Sequence, residues 1–521
     1  MVLRYIAGLS KALLVSLLMF SSISYAAFDP STCSQTAIRC VGSGMEYDTD
    51  VTFPSSAFQT AINQSVAGDV VIVRDGTYTH NIAASSLYFL EINVSGTSGN
   101  PITIQSAEGE WATISGFGFL DDGSDPARQD EELIRVNGDF IVIKDMAFTN
   151  SSRYGITMNG SDGLVENVHV HNNWHEGIAI GRTGTVARRN VVRNSQLNNM
   201  RHGSGVVISR GSNDTNEISD SIIEYNISFD NGYQPNGTKV PAVTGDVAGG
   251  GNSDGFGVTK NCNDNASAGA NICPNNIYRH NIAWHNADDG YDFSFGAGSQ
   301  VIDNISFNNG PEGNRGFKTL RNVSGGLTFI GNVTLKNEVP PATSGRGIEG
   351  RFNDQGWVLH QISMNQSAHG IYVSSTIPAG TQVRNSMEWG NGNPPAITSG
   401  VVQSTNHFNS GTPSIANPSF VYTDINTNPT STSFRDRRDK IYEQIRAALV
   451  PADGSALIDA GTFVAGKHCA TADDDATTPH NPADKTCRHW MGSAPDIGAY
   501  EYGLVDATGK PLPPTISVTV P

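Results

Sequence analysis

A glycine followed by apolar residues at alternating positions recurs through the middle of this sequence, and this repeat limits the possible folds more than any other feature. The glycines are Gly155, Gly177, Gly205, Gly255, Gly290, Gly316, Gly347 and Gly370. Successive glycines lie 22, 28, 50, 35, 26, 31 and 23 residues apart. Alternation is typical of β-strands, and a period of roughly 20 to 30 residues is typical of solenoids with loops inserted in longer turns. The repeat predicts an all-β solenoid.

A second pattern, alternating apolar residues followed by asparagine, precedes several of these strands. It occurs in Val168–Asn173, Ile227–Asn231, Ile282–Asn286 and Ile305–Asn309. We interpret it as another stacked strand that ends at a left-handed turn, where asparagine tolerates positive φ. The asparagines are expected to form a ladder along the solenoid axis.

The N-terminal region carries export and capping signals. Arg4 and Lys11 flank the apolar run 12–20, and small residues precede a cleavage point after Ala26, which predicts a signal peptide over residues 1–26. Phe53–Val66 is predicted to form a helix that caps the first coil, with Phe58, Ile62 and Val66 on one face.

The repeat ends near Pro418. We therefore expect a β-helix domain over residues 27–417, a C-terminal cap region over 418–503 and a flexible Pro-rich tail over 504–521. Within the cap region, 436–449 is predicted to be a helix with Ile441, Ile445 and Leu449 on one face.

Charge and cysteine content restrict the classes of partner and the cellular compartments that are possible for this protein. The net charge is −17 and basic residues form no long run, which argues against a nucleic-acid partner. The apolar run near the N-terminus is short for a membrane span, so we expect a secreted protein, either extracellular or periplasmic. We also expect it to be a monomer.

The six cysteines fall into local pairs, Cys33 with Cys40, Cys262 with Cys273 and Cys469 with Cys487. Pairing by proximity is one of fifteen connectivities, and some free thiols are the alternative.

Aligning the repeats places charged residues in columns on the outer face of the solenoid. The position before each glycine reads Asp254, Asp289, Arg315, Arg346, and the position two after it reads Gly257, Asp292, Lys318, Glu349. Stacked strands lie about 4.8 Å apart, so Asp254, Asp288, Asp289 and Asp292 would crowd together beside Lys318. Crowded carboxylates repel one another unless a cation binds, and oxygen ligands in an exported protein favour Ca²⁺.

Three segments, 253–256, 288–292 and 313–318, together resemble the signature of polysaccharide lyase family 9, the calcium-dependent pectate lyases and related exopolysaccharide lyases. The first coils likewise resemble secreted right-handed parallel β-helix proteins. The resemblance implies that Asp254, Asp288, Asp289 and Asp292 hold Ca²⁺ and that Lys318 is the catalytic base.

This chain also departs from the family pattern. A lysine commonly follows the first motif where this chain has Thr259, with Lys260 one place later, and Arg315 enters the third motif. We expect Arg315, Arg321 and Arg346 to bind substrate carboxylates. Glu349 is expected either to orient Lys318 or to pair with Arg346 or Arg351.

The expected reaction is β-elimination in a uronate-containing polysaccharide, with pectate as the first candidate substrate. Ca²⁺ and Arg315 would lower the pKa of Lys318, which must be neutral to accept a proton. Another acidic exopolysaccharide, alginate or a glycosaminoglycan would suit the same chemistry. A hydrolase using paired carboxylates and a non-catalytic glycan-binding solenoid are the competing functions.

Overall fold

The computed structural model describes residues 28–47, 54–80, 88–116, 132–181, 186–209, 217–240, 253–258, 262, 273–293, 298–310, 315–319, 326–335, 345–352, 356–375 and 378–408. Predictions for residues 1–26, the boundary at 417, the C-terminal cap and tail, and the Cys469–Cys487 pair lie outside the described residues. Disulfides join Cys33 to Cys40 and Cys262 to Cys273, as proximity suggested.

Three parallel sheets run side by side along the molecule, and each coil of the chain contributes one strand to each sheet. The first sheet contains Ile38–Val41, Val70–Val73, Ile102–Ser106, Ile141–Lys144, Leu164–Glu166, Val191–Arg193, Ile222–Glu224, Ile277–Arg279, Gln300–Ile302, Leu327–Ile330, Gly356–Leu359, Gln382–Arg384 and Val402–Ser404. The second contains Tyr88–Ile92, Glu132–Val136, Tyr154–Met158, Ile178–Ile180, Val206–Ile208, Phe256–Val258, Tyr291–Phe293, Arg315–Lys318, Arg346–Phe352, Ile371–Ser375 and Ala396–Ile397. The third contains Gly76–Thr79, Ala112–Ser115, Met146–Thr149, His169–His171, Gln196–Asn198, Ile227–Phe229, Ile282–Trp284, Ile305–Phe307, Val333–Leu335, Ile362–Met364, Met387–Trp389 and His407–Phe408.

Shorter elements complete the described part of the chain. A pair of short strands, Ala187–Arg188 and Ile218–Ser219, forms a separate two-stranded sheet. Pro30–Ser34 and Pro378–Gly380 are 3₁₀ turns. No helix in the described ranges is long and apolar enough to cross a membrane.

The α-helix Pro54–Asn63 packs against the first strands of the three sheets, and Phe58 and Ile62 are fully buried. The predicted helix was too long at its C-terminal end. Val66 is 62% exposed, and its N–H donates to Asp69 Oδ2 at 3.1 Å. That bond turns the chain into the strand Val70–Val73, so Val66 does not extend the apolar face.

The repeated glycines lie where coils approach closely. A Cβ atom at Gly290 would lie 2.2 Å from Ser306 Oγ and 2.8 Å from the carbonyl oxygen of Gly316. Directly after these glycines, Phe256, Tyr291 and Phe317 stack inside the solenoid with centroid separations of 5.0 and 4.4 Å. All three belong to the buried interior core of the described residues.

Two asparagine ladders run along the stack. The ladder predicted from the sequence follows the third-sheet strands, where the Asn231 N–H donates to Asn286 Oδ1 at 3.2 Å and the Asn286 N–H donates to Asn309 Oδ1 at 3.0 Å. The left-handed residue is the one before each ladder asparagine: Asp230, His285 and Asn308 have φ values of 55°, 51° and 55°. The turn and the ladder are therefore adjacent positions.

The second ladder follows the first-sheet strands and was not predicted. It consists of Asn226, Asn281, Asn304 and Asn332. Asn281 Oδ1 accepts the Asn226 N–H at 3.0 Å, and Asn281 Nδ2 donates to the Ile223 carbonyl at 2.8 Å. Because these groups are buried, the ladder supplies partners that water cannot.

Asn281→Ala should leave the buried Asn226 N–H and Ile223 carbonyl without these bonds. Each loss costs about 1–3 kcal/mol, so we expect a destabilisation of roughly 2–6 kcal/mol. Thermal unfolding followed by circular dichroism measures the effect. Asn236→Ala, which removes an exposed local bond to the Thr238 N–H, is the control and should shift the midpoint little. Equal midpoints for the two variants would contradict the structural role of the ladder.

Candidate active site

The charged columns predicted from the sequence meet on the outer face of the second sheet. Its register pairs Gly257 with Asp292, Asp292 with Lys318, and Lys318 with Glu349. These residues belong to four successive coils, and neighbouring strands lie about 4.8 Å apart. The parallel stacking therefore places side chains far apart in sequence within contact distance.

Asp254, Asp289 and Asp292 form a carboxylate cluster whose oxygens lie within 4.8 Å of one another. Asp254 and Asp289 are buried. The backbone fixes both: the Asp289 N–H donates to Asp254 Oδ1 at 3.0 Å, and the Arg315 N–H donates to Asp289 Oδ1 at 3.0 Å. Asp288 is also buried beside the cluster, but it does not complete the group of mutually close oxygens.

The cluster is electrostatically strained. Burial, followed by the charges of Asp292 and Asp289, raises the pKa of Asp254 well above its usual value. Burial, followed by Asp289 and Asp254, does the same to the pKa of Asp288. Carboxyl groups in this position bind protons or a cation, and a donor set made only of oxygen fits a hard ion such as Ca²⁺.

Lys318 lies within the cluster. Its Nζ is 2.8 Å from Asp289 Oδ2 and 2.8 Å from Asp292 Oδ2. Burial alone would lower the pKa of Lys318, but the charges of Asp289, Asp292 and the other two aspartates outweigh it, and the pKa is raised. The expected depression of this pKa is thus not found for the protein alone, because the negative charges of the four aspartates dominate at Nζ. Lys318 here is an ammonium that compensates part of the negative charge.

Glu349 lies one coil beyond Lys318 and gathers three arginines, Arg315, Arg346 and Arg351, which we call the arginine cluster. Arg315 Nε donates to Glu349 Oε2, Arg346 Nη1 lies 2.8 Å from the same oxygen, and Arg351 Nη2 lies 2.6 Å from Oε1. Burial would raise the pKa of Glu349, but the arginines outweigh it and lower that pKa. The prediction that Glu349 pairs with Arg346 or Arg351 is confirmed.

The guanidinium groups of the arginine cluster remain partly accessible. The side chains of Arg315, Arg346 and Arg351 are 25%, 23% and 44% exposed, whereas Glu349 is fully buried. Arg346 also packs over the Tyr372 ring, 4.3 Å from its centroid. Three cations around one carboxylate leave a net positive patch beside the carboxylate cluster.

Some site residues were missed and others lie outside the described residues. Arg351 was not predicted to bind substrate, although its position two residues after Glu349 in one strand puts both on the same face. Ser204 was also missed, and its hydroxyl lies 3.5 Å from Asp254 Oδ2. Arg321, Thr259 and Lys260 are not among the described residues.

Comparison with known proteins identifies the family. The family model described as "Pel9A-like, right handed beta helix region" matches residues 42–400. The chain belongs to this family. The predicted right-handed parallel β-helix and the resemblance to pectate lyases of family 9 are confirmed.

Individual members agree with this assignment. Pectate lyase L of Paenibacillus polymyxa (strain SC2) is 26% identical over 340 residues, which cover 61% of this chain and 70% of that protein. Pectate lyase L of Dickeya chrysanthemi is 27% identical over 305 residues, covering 54% and 66%. The crystal structure of pectate lyase Pel9A, 19% identical, has a TM-score of 0.50 and covers 85% of this chain and 90% of its own. The prediction of a polysaccharide lyase is confirmed at the level of the family.

Calcium binding to the cluster should be measurable without any substrate. We expect Ca²⁺ to raise the melting temperature of the protein more than Mg²⁺ does, because an oxygen cage without fixed octahedral geometry favours the larger ion. Asp289→Asn should lower the Ca²⁺ affinity at least about tenfold, the effect of losing roughly 1.4 kcal/mol.

The affinity should also fall as pH falls, because carboxyl groups with raised pKa values take up protons in competition with the ion. Isothermal titration calorimetry of the wild type and of Asp289→Asn at two pH values measures both the effect of the substitution and the effect of pH on the Ca²⁺ affinity. Asp220→Asn, which changes an exposed aspartate directly before the first-sheet strand Ile222–Glu224 and outside the carboxylate cluster, is the matched control. Equal affinities for the two variants would rule out the cluster as the binding site.

Proposed function

We propose that this protein is a secreted lyase that cleaves a uronate-containing polysaccharide by calcium-assisted β-elimination, with Lys318 as the base and pectate as the first candidate substrate. The observation that carries the proposal is the contact of Lys318 Nζ with both Asp289 and Asp292 at the carboxylate cluster. A base and a set of oxygen ligands thereby share one surface on which a polymer can lie.

Asp254, Asp289 and Asp292 are the proposed metal ligands, with Asp288 as a further donor. When bound, Ca²⁺ neutralises the substrate carboxylate and makes the neighbouring C–H bond more acidic. An acidic protein can bind an acidic polymer on these terms, since the bound cation offsets negative charge at the site although the whole chain carries −17.

Lys318 removes the proton from the carbon next to the uronate carboxylate. The electron pair of that C–H bond forms a carbon–carbon double bond, and the bond to the glycosidic oxygen at the β position breaks. The leaving oxygen takes a proton from water or from the Lys318 ammonium. The product has an unsaturated sugar at its new non-reducing end, and no oxidant or reductant is needed.

The protonation state of Lys318 is the critical requirement. Only its free amine accepts a proton, whereas its contacts with Asp289 and Asp292 favour the ammonium. These carboxylates are also the proposed metal ligands, so metal binding competes with both ion pairs and lowers the pKa of Lys318 from its raised value. An alkaline optimum is expected because deprotonation is still required.

The arginine cluster is the proposed binding site for a second carboxylate of the substrate. Arg315 and Arg346 were expected in this role, and Arg351 belongs with them because all three guanidiniums are oriented by the same buried carboxylate. Charge-assisted guanidinium–carboxylate bonds combine strength with directionality. A polymer with uronates at neighbouring sugars satisfies both sites, which favours a polyuronide over a polymer with isolated acidic residues.

Export and assembly complete the proposal. Two disulfides fit an oxidising compartment, and the export signal proposed over residues 1–26 leads there. The protein is proposed to act as a monomer, since one coil stack supplies every group of the site.

Lys318→Ala should lower the rate of formation of the unsaturated, ultraviolet-absorbing product by at least about 10²–10⁴-fold, the usual contribution of a general base. The assay uses polygalacturonate with Ca²⁺, and circular dichroism verifies the fold. Lys144→Ala, in the first sheet of an early coil, is the control. A chelator should abolish the wild-type reaction. Full activity of Lys318→Ala would eliminate the proposed base, and binding without product in the wild type would favour a glycan-binding protein.

Arg351→Gln should raise KM for a polyuronide by about ten- to a hundredfold while kcat changes less, since one charged hydrogen bond to the substrate contributes about 1.5–3 kcal/mol. Arg189→Gln, which breaks an exposed ion pair to Asp162 in an early coil, is the matched control. Steady-state kinetics separate the two parameters. Unchanged KM in Arg351→Gln would remove Arg351 from the substrate site.

A further inference from the structure

The outward column of the second sheet is interrupted at Gly257. Phe256 and Val258 on either side of it belong to the interior core, so position 257 points outward. The equivalent position carries a side chain in the neighbouring strands, namely Thr157, Ala179 and Val207 on one side and Asp292, Lys318 and Glu349 on the other. Gly257 therefore leaves a gap in a row of side chains.

The stacking of the coils does not require glycine at this position. A Cβ atom at Gly255, two residues earlier, would lie 2.6 Å from the carbonyl oxygen of Gly290, so that glycine cannot be replaced without a change in the backbone. A Cβ atom at Gly257 would have the Asp292 carbonyl oxygen as its nearest neighbour, at 3.3 Å, and a shift of a few tenths of an ångström relieves this contact. The φ angle of Gly257 is also outside the left-handed region. Glycine loses more backbone entropy in a strand than other residues do and adds no packing, so its presence here needs another reason.

The gap at Gly257 adjoins the carboxylate cluster. Asp254 lies three residues earlier in the same coil, and Asp292 occupies the equivalent position of the next strand. Toward the preceding coil, Ser204 Oγ and Val207 Cγ2 would lie 3.6 and 3.8 Å from a Cβ atom at position 257, and Ser204 Oγ is also 3.5 Å from Asp254 Oδ2. The gap thus has carboxylates on one side and a hydroxyl group with an apolar side chain on the other. A glycine within a strand often marks a place where a ligand approaches the backbone closely.

The gap is in line with the groups that would hold a polymer. Lys318 lies two strands beyond Gly257 in the same column, about 9.6 Å away, and Glu349 with the arginine cluster lies one strand further. One strand step is close to the length of one sugar unit in an extended polysaccharide. A polymer that contacts the arginine cluster and Lys318 and continues along the column therefore reaches Gly257.

We propose that Gly257 is a specificity-determining residue, whose missing side chain leaves the space in which one sugar unit of the polymer lies against the backbone beside the carboxylate cluster. The inference rests on the proposed function and adds a subsite to it. The arginine cluster binds a carboxylate on one side of Lys318, whereas the gap at Gly257 selects a sugar ring by its size on the other. Ser204 and Val207 suit such a ring, because a sugar has hydroxyl groups at its edge and C–H groups on its faces.

Gly257→Ala and Gly257→Val fill the gap in two steps. We expect Gly257→Val to raise KM for polygalacturonate at least about tenfold and Gly257→Ala to raise it less, because a misfit of methyl size in a binding pocket changes discrimination by about ten- to two-hundredfold. The Ca²⁺ affinity without substrate, measured by isothermal titration calorimetry, should be unchanged in both variants, since neither removes a metal ligand. Ala396→Val adds bulk in the last strand of the same column, five strands from Gly257, and is the control that should keep the wild-type KM.

Kinetics on polygalacturonate and on alginate, together with melting temperatures, separate the outcomes. An unchanged KM in folded Gly257→Val overturns the inference and leaves the proposed function intact, and a lower melting temperature with unchanged KM shows that the protein's own packing uses the space. A loss of Ca²⁺ affinity in Gly257→Val also overturns it, because the side chain then acts on the metal site. If Gly257→Val does not fold, the KM of Gly257→Ala decides. If the wild type cleaves neither polymer, Ca²⁺-dependent binding of the same polymers is compared, and Gly257→Val should bind more weakly. A wild type that neither binds nor cleaves them overturns both proposals.

Discussion

Fixed register between parallel strands is the constraint on which the rest of this structure depends. Each coil donates its backbone hydrogen bonds to the next, so a residue position in one coil is placed directly above the same position in its neighbour. The two asparagine ladders hold the corners at the same height, because each side chain bonds to the backbone of the adjacent coil. Because the register is fixed, equivalent positions of the sequence repeat stack in columns. A column of charged residues thereby brings together the side chains of the candidate active site.

Alternating charges reduce the electrostatic repulsion along that column. Along the outward position of the second sheet the order is Asp292, Lys318, Glu349, with signs that alternate at each step of about 4.8 Å. The arginine cluster then compensates Glu349, whereas the aspartates are only partly compensated by Lys318. The unbalanced part of the column is therefore the part where an added cation is stabilising.

The sequence predicted those features that depend on periodicity. The alignment of Asp254 with Asp289 and of Asp292 with Lys318 follows from strand alternation and a constant register. Contacts between individual side chains were harder to predict from the sequence. The direct contact of Lys318 with the aspartates and the convergence of Arg315, Arg346 and Arg351 on Glu349 depend on rotamers and on competition between charges, which spacing does not determine. The ladder through Asn281 was missed because each of its asparagines lies in a connection of only two residues between short strands. Val66 failed as a helix residue because a bond to Asp69 competed with helix propensity.

The spacing of the repeated glycines has a consequence for how such a protein can change. Steps of 22 to 50 residues all return the chain to the same register position in the second sheet. Coil length is thus independent of coil position. The segments between the repeated glycines can therefore differ in length among related proteins while the charged column keeps its geometry. Specificity for a different polymer can arise in this way without a change in the stacked strands.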